Sequence, residues 1–256
     1  MRLWHILNIL RPQLNKRSTK RPLRIYAVGD IHGRYDLLNQ LLLRIKDDVK
    51  QRPVGRSKIV FLGDYIDRGP DSCATLSKVM RLVSSNWPNV IALLGNHEEM
   101  LLQVCAGREQ FLSMWLKFGG VTTLTSFGLD HEQLLALGAE VAGKRVREAL
   151  GPGVLDWLET LPLYHQSGKY FFCHAGIRPG IPLGLQSKRD LLWIRDDFLN
   201  GDLSGYTHTI VHGHSEQMEA TIGEHRIGVD TAAYKTGKLC AVALDGERSW
   251  VVSTDS

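Results

Sequence analysis

The feature that most constrains the fold of this sequence is a repeated pairing of a short apolar run with a polar cluster rich in glycine, aspartate and histidine. Short apolar, β-branched runs bounded by turn residues are typical of buried strands. Because the carboxyl ends of strands form the ligand-binding edge of open α/β sheets, we expect the clusters to converge on one site. The clusters are Gly29–Gly33, Gly63–Gly69, Gly95–Glu98, His174–Gly176 and His212–His214.

The hydrophobic periodicity between these clusters predicts an α/β fold. Two amphipathic stretches, Tyr35–Val49 and Asp71–Ser85, separate the first three apolar runs, and this βαβαβ order predicts parallel strands with right-handed crossovers. The last three runs follow one another through short turns such as Asp245-Gly246, which favours an antiparallel arrangement there. The predicted strands are Arg24–Val28, Lys58–Leu62, Val90–Leu94, Lys169–Cys173, Thr207–Val211, Arg226–Val229, Leu239–Leu244 and Ser249–Val252.

We expect one α/β domain, because α/β chains of this length commonly form a single unit. Residues 24–256 form the domain in this interpretation, and residues 1–23 form a basic N-terminal extension. Between Glu98 and Pro162 the periodicity is helical, which predicts a helical insertion over about residues 98–162. Its predicted helices are Glu98–Cys105, Arg108–Lys117, Glu132–Leu150 and Val154–Leu161.

The basic charge is concentrated in the extension. Residues 1–24 contain seven Lys and Arg residues and no acidic residue, whereas the whole chain has 31 basic and 27 acidic residues. The rest of the chain is therefore slightly acidic, and we expect no nucleic-acid partner. Basic residues after the apolar stretch Leu3–Leu10 leave two interpretations of the extension, namely weak contact with an anionic membrane surface or packing on the domain.

Two further features predict a cytoplasmic protein. No apolar run reaches the roughly 18 residues that a membrane helix requires, and the N-terminus lacks a signal-like apolar region with a cleavage site. The cysteines are widely spaced without a CxxC pair, so we expect free thiols in a reducing compartment. They are Cys73, Cys105, Cys173 and Cys240.

The residue types in the clusters predict a site for metal and phosphate. Aspartate, histidine and asparagine without paired cysteines suit borderline divalent ions such as Mn, Fe or Zn. Asp30 and His32 are two residues apart, so their side chains point to the same side if the strand continues through them. Arg68 adds a guanidinium, which pairs bidentately with phosphate. One such motif alone is commonplace, whereas five at strand ends indicate a shared site.

In this order the clusters, GDIHG, GDYIDRG, GNHE, HAG and HGH, resemble the motifs of the phosphoprotein phosphatase family within the calcineurin-like metallophosphoesterases. The resemblance is to the bacterial-type branch, and further matches are Trp115–Gly128, Leu192–Arg195 and Asp230–Leu239. It implies a central β-sandwich flanked by helices, with a helical insertion. It also implies two bound divalent metal ions, of which Mn²⁺ is our first choice and Fe or Zn the alternatives.

The resemblance implies the role of each residue in these motifs. His97 and Asp67 resemble the family's acid pair, in which the carboxylate orients the imidazole. Arg68 and Arg195 resemble the groups that bind phosphate. His212 either supports the metal ligands without touching the metal or is an additional ligand. The implied metal ligands are Asp30 and His32 for the first metal, Asn96, His174 and His214 for the second, and Asp64 as the bridge.

The implied chemistry is hydrolysis of a phosphomonoester by direct attack of a metal-bridging hydroxide, with His97 as the proton donor and no phosphoenzyme. Three residues depart from the branch or vary within it. Glu216 lies in Ser215-Glu216, where Thr-Pro is common, and Ala232 replaces a frequent glycine. Arg34 is either an extra cation for substrates with additional negative charge or an exposed structural residue.

Three functions are compatible with these observations. The first is a serine/threonine protein phosphatase that also accepts phosphotyrosine, with a phosphorylated protein or a small phosphoester as its partner. Trp193-Ile194-Arg195 favours it, because this segment resembles the phosphate clamp of bacterial and phage protein phosphatases. The second is a symmetrical dinucleoside tetraphosphate hydrolase. The third, from another class, is an inactive scaffold or a membrane-tethered binding module.

Overall fold

The computed structural model describes residues 23–85 and 89–255. Within these residues two mixed sheets pack face to face, as the family resemblance implies. In the first sheet the strand order is β10-β9-β1-β2-β3. Its strands are β1 (Leu23–Val28), β2 (Arg56–Phe61), β3 (Asn89–Ala92), β9 (Cys240–Asp245) and β10 (Arg248–Ser253), and the second sheet contains β4 (Tyr164–Ser167), β5 (Tyr170–Cys173), β6 (Thr209–His212), β7 (Thr221–Ile222) and β8 (Arg226–Gly228).

The predicted βαβαβ unit is confirmed. Strands β1, β2 and β3 are parallel, and helices α1 (Tyr35–Gln51) and α2 (Ser72–Ser84) connect them. Helix α2 begins where expected, because the carboxylate of Asp71 accepts a hydrogen bond from the backbone N–H of Ala74 at 2.9 Å and so caps the first turn. Parallel pairing places the carboxyl ends of the three strands at one edge of the sheet.

The prediction for the last three strands is partly wrong. Strands β9 and β10 are antiparallel as expected, but β8 belongs to the second sheet, where the order is β4-β5-β6-β8-β7 and β8 runs parallel to β6. The connection Val229–Leu239, which contains α11 (Ala233–Thr236), is long enough to cross from one sheet to the other. The apolar pattern of β8 identifies a buried strand but does not specify its partner.

The core between the sheets follows from alternation along the strands. Ile25 and Ala27 of β1 point into it and pack with side chains of the second sheet such as Val211. Tyr26 and Val28 point the other way, into a second core beneath the helices. Both faces of β1 are therefore buried, as its nearly continuous apolar sequence predicts.

Between β3 and β4 the chain is helical. The predicted helix Glu132–Leu150 is in fact two helices, because Gly138 adopts a φ of 76° between them, a conformation that interrupts a right-handed helix. The second and third helices are joined by a kink within Leu116–Gly120, where Gly119 has a non-helical φ of 108°. The helices are α3 (Asn96–Cys105), α4 (Glu109–Trp115), α5 (Val121–Ser126), α6 (His131–Ala136), α7 (Ala139–Leu150) and α8 (Pro152–Thr160).

Two short helices that the sequence analysis did not predict, α9 (Lys188–Trp193) and α10 (Asp196–Leu199), lie between β5 and β6. The N-terminal extension lies outside the described residues, apart from Leu23, which begins β1. None of the helices in the described part of the chain combines the length and apolarity needed to cross a bilayer.

Candidate active site

The predicted ligands converge where the carboxyl ends of β1, β2, β3, β5 and β6 meet. His32, Asp64 and His97 form one buried group, and Asp64, His174 and His214 form another; within each group the potential ligand atoms lie within 4.8 Å of one another. Asp64 belongs to both groups, which is the position that the resemblance assigns to a bridging ligand. The convergence predicted from the strand ends is therefore present.

The backbone around Asp64 is shaped by close approach of two motifs. Asp64 itself has a φ of 53°, and its Oδ1 accepts a hydrogen bond from the backbone N–H of His97 at 3.1 Å. A Cβ atom added to Gly95 would lie 2.2 Å from that same Oδ1, so only glycine fits there. The glycine that opens the Gly95–Glu98 motif thus allows the two strand-end loops to meet.

The tautomer of His174 follows from its hydrogen bonds. Its Nδ1 lies 3.0 Å from the carbonyl oxygen of Leu62 and therefore carries the proton. Its Nε2 then presents a lone pair, 2.7 Å from Oδ1 of Asn96 and 3.4 Å from Oδ1 of Asp64. Three electron-pair donors that face one another in a buried space, with no proton between them, fit a shared cation.

Electrostatics keep these groups in the forms that bind metal. Burial lowers the pKa of His32, His174 and His214, in the last case to about 2, so these three imidazoles are neutral and each has one ring nitrogen with a lone pair. Burial favours the neutral form of Asp64, but its pKa is nevertheless lowered, and protonated His97 is the neighbouring imidazole whose charge favours the carboxylate. Neutral imidazoles, a carboxylate and an amide oxygen form a donor set that fits borderline divalent ions.

Asp30 and His32 reach the site by a turn rather than by continuation of β1. The strand ends at Val28, and His32 has a φ of 47°, so the strand does not continue through the two residues and the condition for aligning their side chains is not met. Asp30 accepts hydrogen bonds from the backbone N–H of His214 at 3.0 and 3.2 Å. Burial, with the carboxylates of Asp230 and Asp64, raises its pKa. A bound cation would relieve the repulsion between these neighbouring carboxylates.

His97 and Asp67 form a buried pair. Nδ1 of His97 lies 2.6 Å from Oδ2 of Asp67, and Nε2 points towards Asp64, whose Oδ2 is 3.8 Å away. Burial disfavours the charged imidazole, but Asp64 and Asp67 outweigh burial and raise the pKa of His97. The predicted carboxylate–imidazole pair is therefore present, in an arrangement that favours the proton-donating form.

Asp67 is itself held by two side chains that the sequence analysis did not assign. Trp115 donates through Nε1 to both carboxylate oxygens, at 2.8 and 3.0 Å, and Thr123 donates through Oγ1 at 2.6 Å. The kink at Gly119 lies between these two residues, and the carbonyl oxygen of Gly119 accepts from the backbone N–H of Arg68. Trp115 and Thr123 both lie in Trp115–Gly128, the stretch that matched the family pattern, so a signal was available.

Glu98 is a second residue whose role was not predicted. Its fully buried carboxylate accepts hydrogen bonds from the backbone N–H groups of Asp64, Tyr65 and Gly95 at 2.8 to 3.1 Å. Burial, together with the Asp64 carboxylate, raises the pKa of Glu98 to about 8. A glutamate three residues after the helix N-cap, here Gly95, is the pattern that could have identified it.

The predicted phosphate-binding arginines lie on opposite sides of the ligands. Nη1 of Arg68 lies 3.0 Å from Nε2 of His32, and Nε of Arg195 donates to Nε2 of His214 at 3.1 Å. Arg195 follows α9, which is fixed to the site because Nε1 of Trp193 donates to Glu99 at 2.7 Å. Both guanidinium groups can therefore reach an anion bound next to the metal ligands.

The structure places Arg34 and His212 apart from the two ligand groups. Arg34 donates to the Asp36 carboxylate at 2.6 and 2.9 Å and to the carbonyl oxygen of Ala233 at 2.9 Å. His212 is buried with its ring edge against Phe198, and its Nε2 has no hydrogen-bond partner among the described residues. Burial lowers the pKa of His212 to about 4.

A cleft of about 950 Å³ opens beside Arg195. Its apolar lining includes Phe111, Met114 and Trp193. Four basic and four acidic side chains surround this apolar part, which leaves the cleft without a net formal charge; they are Arg178, Lys188, Arg189, Arg195, Glu99, Asp190, Asp196 and Asp197.

The fold and the site together define a metal-binding phosphoesterase. The chain belongs to the calcineurin-like phosphoesterase family, whose sequence profile matches residues 23–232. The expected family and fold class are thereby confirmed.

Named relatives differ in the substrate that their names indicate. The chain is 34% identical over 154 residues to a symmetrical bis(5'-nucleosyl)-tetraphosphatase of Dechloromonas aromatica. The aligned region covers 60% of this chain and only 44% of that protein. It is 27% identical to the asymmetrical bis(5'-nucleosyl)-tetraphosphatase PrpE of Anoxybacillus flavithermus, in an alignment that covers 84% of this chain and 88% of that protein. It is 29% identical to serine/threonine-protein phosphatase 1 of Salmonella typhimurium, with 84% and 89% covered.

Among solved structures, the cold-active protein-tyrosine phosphatase of a psychrophilic Shewanella species superposes with a TM-score of 0.56 at 19% identity, over 90% of this chain and 81% of that one. At this identity the likeness shows a shared fold alone.

Proposed function

We propose that this protein is a metal-dependent protein phosphatase that hydrolyses phosphoserine and phosphothreonine, and also phosphotyrosine, with Mn²⁺ as its preferred metal. The observation that carries the proposal is the buried His97–Asp67 pair, because an imidazole kept in its protonated form can supply the proton that an alkoxide or phenoxide leaving group needs. The free cysteines fit our expectation of a cytoplasmic protein.

The residues divide the reaction between them. Asp30, His32 and Asp64 would hold one metal, and Asn96, His174 and His214 would share Asp64 with the other. The metal ions supply Lewis-acid polarisation of the phosphoryl oxygens and activation of a water nucleophile. Arg68 and Arg195 bind the phosphoryl oxygens. As the bond from phosphorus to the leaving oxygen breaks, Nε2 of His97 transfers its proton to that oxygen.

The cleft beside Arg195 supports a polypeptide substrate. Two of its four cations are paired, since Arg178 contacts Asp190 at 2.7 Å and Lys188 contacts Glu99 at 2.9 Å, and the eight charged side chains sum to zero. A tetraphosphate chain carries several negative charges and calls for unpaired cations, whereas a peptide next to a phosphorylated residue suits mixed charge around an apolar floor.

A second candidate is hydrolysis of dinucleoside tetraphosphates, which the names of two of the relatives favour. The two functions differ in a direct assay. Metal-loaded protein should be tested with a phosphopeptide, an aryl phosphate and diadenosine tetraphosphate, and kcat/KM compared. We expect the phosphopeptide to be the best of the three; efficient turnover of the dinucleotide alone would overturn the proposal.

The third function, an inactive scaffold or a tethered binding module, makes a different prediction. Every ligand position that the resemblance implies is filled by a residue of the expected type. Elemental analysis after purification in the presence of Mn²⁺ should therefore find bound metal, and protein that neither retains metal nor hydrolyses any of the three substrates would support the scaffold instead.

A further inference from the structure

Glu216 lies directly on one of the proposed phosphate-binding arginines. Its Oε1 is 3.0 Å from Nη1 of Arg68. The same Nη1 is 3.0 Å from Nε2 of His32, so a single donor atom separates the Glu216 carboxylate from a proposed metal ligand. The carboxylate therefore borders the space where substrate phosphate would bind.

Tyr234 fixes this arrangement. Its hydroxyl donates to Oε1 of Glu216 at 3.0 Å, and its ring lies beneath the Arg68 guanidinium, 4.7 Å from the guanidinium carbon. The same ring meets the His32 imidazole edge to face, with the ring centres 5.4 Å apart. Glu216 is thus one part of an ordered contact and not a freely moving surface side chain, although it is 36% exposed.

The neighbouring charges offer no compensation for this carboxylate beyond Arg68. Arg34 is occupied by Asp36, with Nη2 2.6 Å from the carboxylate. Arg68 is the cation with which the structure pairs Glu216, and the other terminal nitrogen of Arg68, Nη2, lies 3.4 Å from Nε2 of His97. Asp230 adds further negative charge close by, since Glu216 is one of the groups that raise the pKa of its carboxyl, after burial.

We propose that Glu216 is a specificity-determining residue that selects phosphomonoesters against substrates with a phosphate chain. This inference rests on the proposed function and deepens it. A single phosphoryl group needs one face of Arg68, whereas the additional phosphates of a polyphosphate must lie near the Glu216 carboxylate without a cation to offset the repulsion. Glu216 therefore disfavours the class of substrate that the names of two relatives of this chain indicate.

The test compares Glu216→Gln with a matched control, Glu219→Gln. Glu219 lies three residues further along the chain and contacts Lys238 at 2.5 Å rather than Arg68. Its substitution by glutamine removes the same charge as Glu216→Gln. For each metal-loaded variant, kcat/KM is measured for diadenosine tetraphosphate and for an aryl phosphate, and inhibition constants are measured for tripolyphosphate and orthophosphate.

In Glu216→Gln we expect the ratio of dinucleotide to aryl phosphate kcat/KM to rise about tenfold, as removal of one nearby like charge at a partly exposed site allows. Tripolyphosphate should bind tighter by a larger factor than orthophosphate. Glu219→Gln should change either ratio by less than about twofold. Tyr234→Phe, which removes only the hydrogen bond that fixes Glu216, should shift both ratios in the same direction but less.

The outcomes separate the two claims. Wild-type protein that prefers the dinucleotide to every phosphomonoester would overturn the proposed function. Wild-type protein that prefers phosphomonoesters, with ratios in Glu216→Gln equal to those in Glu219→Gln, would overturn the inference about Glu216 alone. Thermal melting and metal content of each variant establish that the comparison is made between folded, loaded proteins.

Discussion

Replacing Asp67 by asparagine should slow the departure of poor leaving groups while leaving metal in place. The carboxylate is fully buried and lies 2.6 Å from Nδ1 of His97, and a hydrogen bond to a charged partner contributes about 1.5–3 kcal/mol. Converted to a rate, this is about 10- to 100-fold in the step that uses the imidazolium proton. The same substitution removes one of the charges that raise the pKa of His97.

The pH dependence follows from the sign of that change. Protonated His97 is present below its pKa and is lost as the pH rises through it, so a lower pKa in Asp67→Asn moves the alkaline limb of the pH–rate profile to lower pH. The carboxylate of Asp67 accepts hydrogen bonds from Trp115, Thr123 and His97, whereas asparagine would place an N–H₂ donor group against these donors. One donor left unsatisfied should lower the free energy of unfolding by about 1–3 kcal/mol.

The assay is a series of aryl phosphates whose leaving groups differ in basicity, measured at saturating Mn²⁺. We expect Asp67→Asn to lose about 10- to 100-fold with the most basic leaving group and little with the most activated one, so that the Brønsted slope steepens. Thr123→Val is the matched control, because it removes the hydrogen bonds of Oγ1 with the carboxylate and the backbone N–H of Asp67 but keeps the carboxylate itself. Equal losses across the series in Asp67→Asn would refute the reasoning.

Three other predictions test separate parts of the structure. Asp64→Asn should lower metal content measured by elemental analysis, because Asp64 belongs to both ligand groups; retention of two ions per chain would contradict its bridging role. Arg68→Ala should raise KM for an aryl phosphate about tenfold with a smaller change in kcat, since it removes a charged contact to the phosphoryl group. Ala232→Gly should raise the free energy of unfolding by about 0.5 kcal/mol, because Ala232 has a left-handed φ of 51°. Ala233→Gly, within α11, should lower it by about 1 kcal/mol in the same melting experiment.

The sequence predicts those parts of the fold that depend on local periodicity. The β1–β3 unit and its helices lie within a few residues of the predicted bounds, because each has a clear apolar pattern of its own. The position of β8 was mispredicted, since a buried strand pairs with whichever strand tertiary packing brings beside it, and periodicity does not encode that choice. The short strand Tyr164–Ser167 was missed because three of its four residues, His165, Gln166 and Ser167, are polar.

The site shows the same division. The proposed ligands follow directly from motifs at strand ends. His32, Asp64, His174 and His214 lie in two groups that share Asp64. Asn96 contacts His174 and His214, and Asp30 accepts from the backbone N–H of His214. The supporting residues were not assigned, because their partners are distant in sequence: Glu98 binds a loop 34 residues earlier, and Trp115 binds Asp67 across 48 residues. The turn at His32 could not be predicted, because a positive φ cannot be inferred for a histidine from its spacing.

The buried carboxyl group of Glu98 makes the two central motifs one mechanical unit. It clamps the loop that carries Asp64 to the start of α3, which carries Asn96 and His97, by hydrogen bonds to both backbones. Displacement of either segment would leave buried N–H groups without hydrogen-bond acceptors. The polypeptide therefore fixes the spacing between the proposed bridging ligand and the proton donor in the absence of metal. The metal site would then be preformed in the metal-free protein, and removal of metal by a chelator should leave the structure around His97 intact.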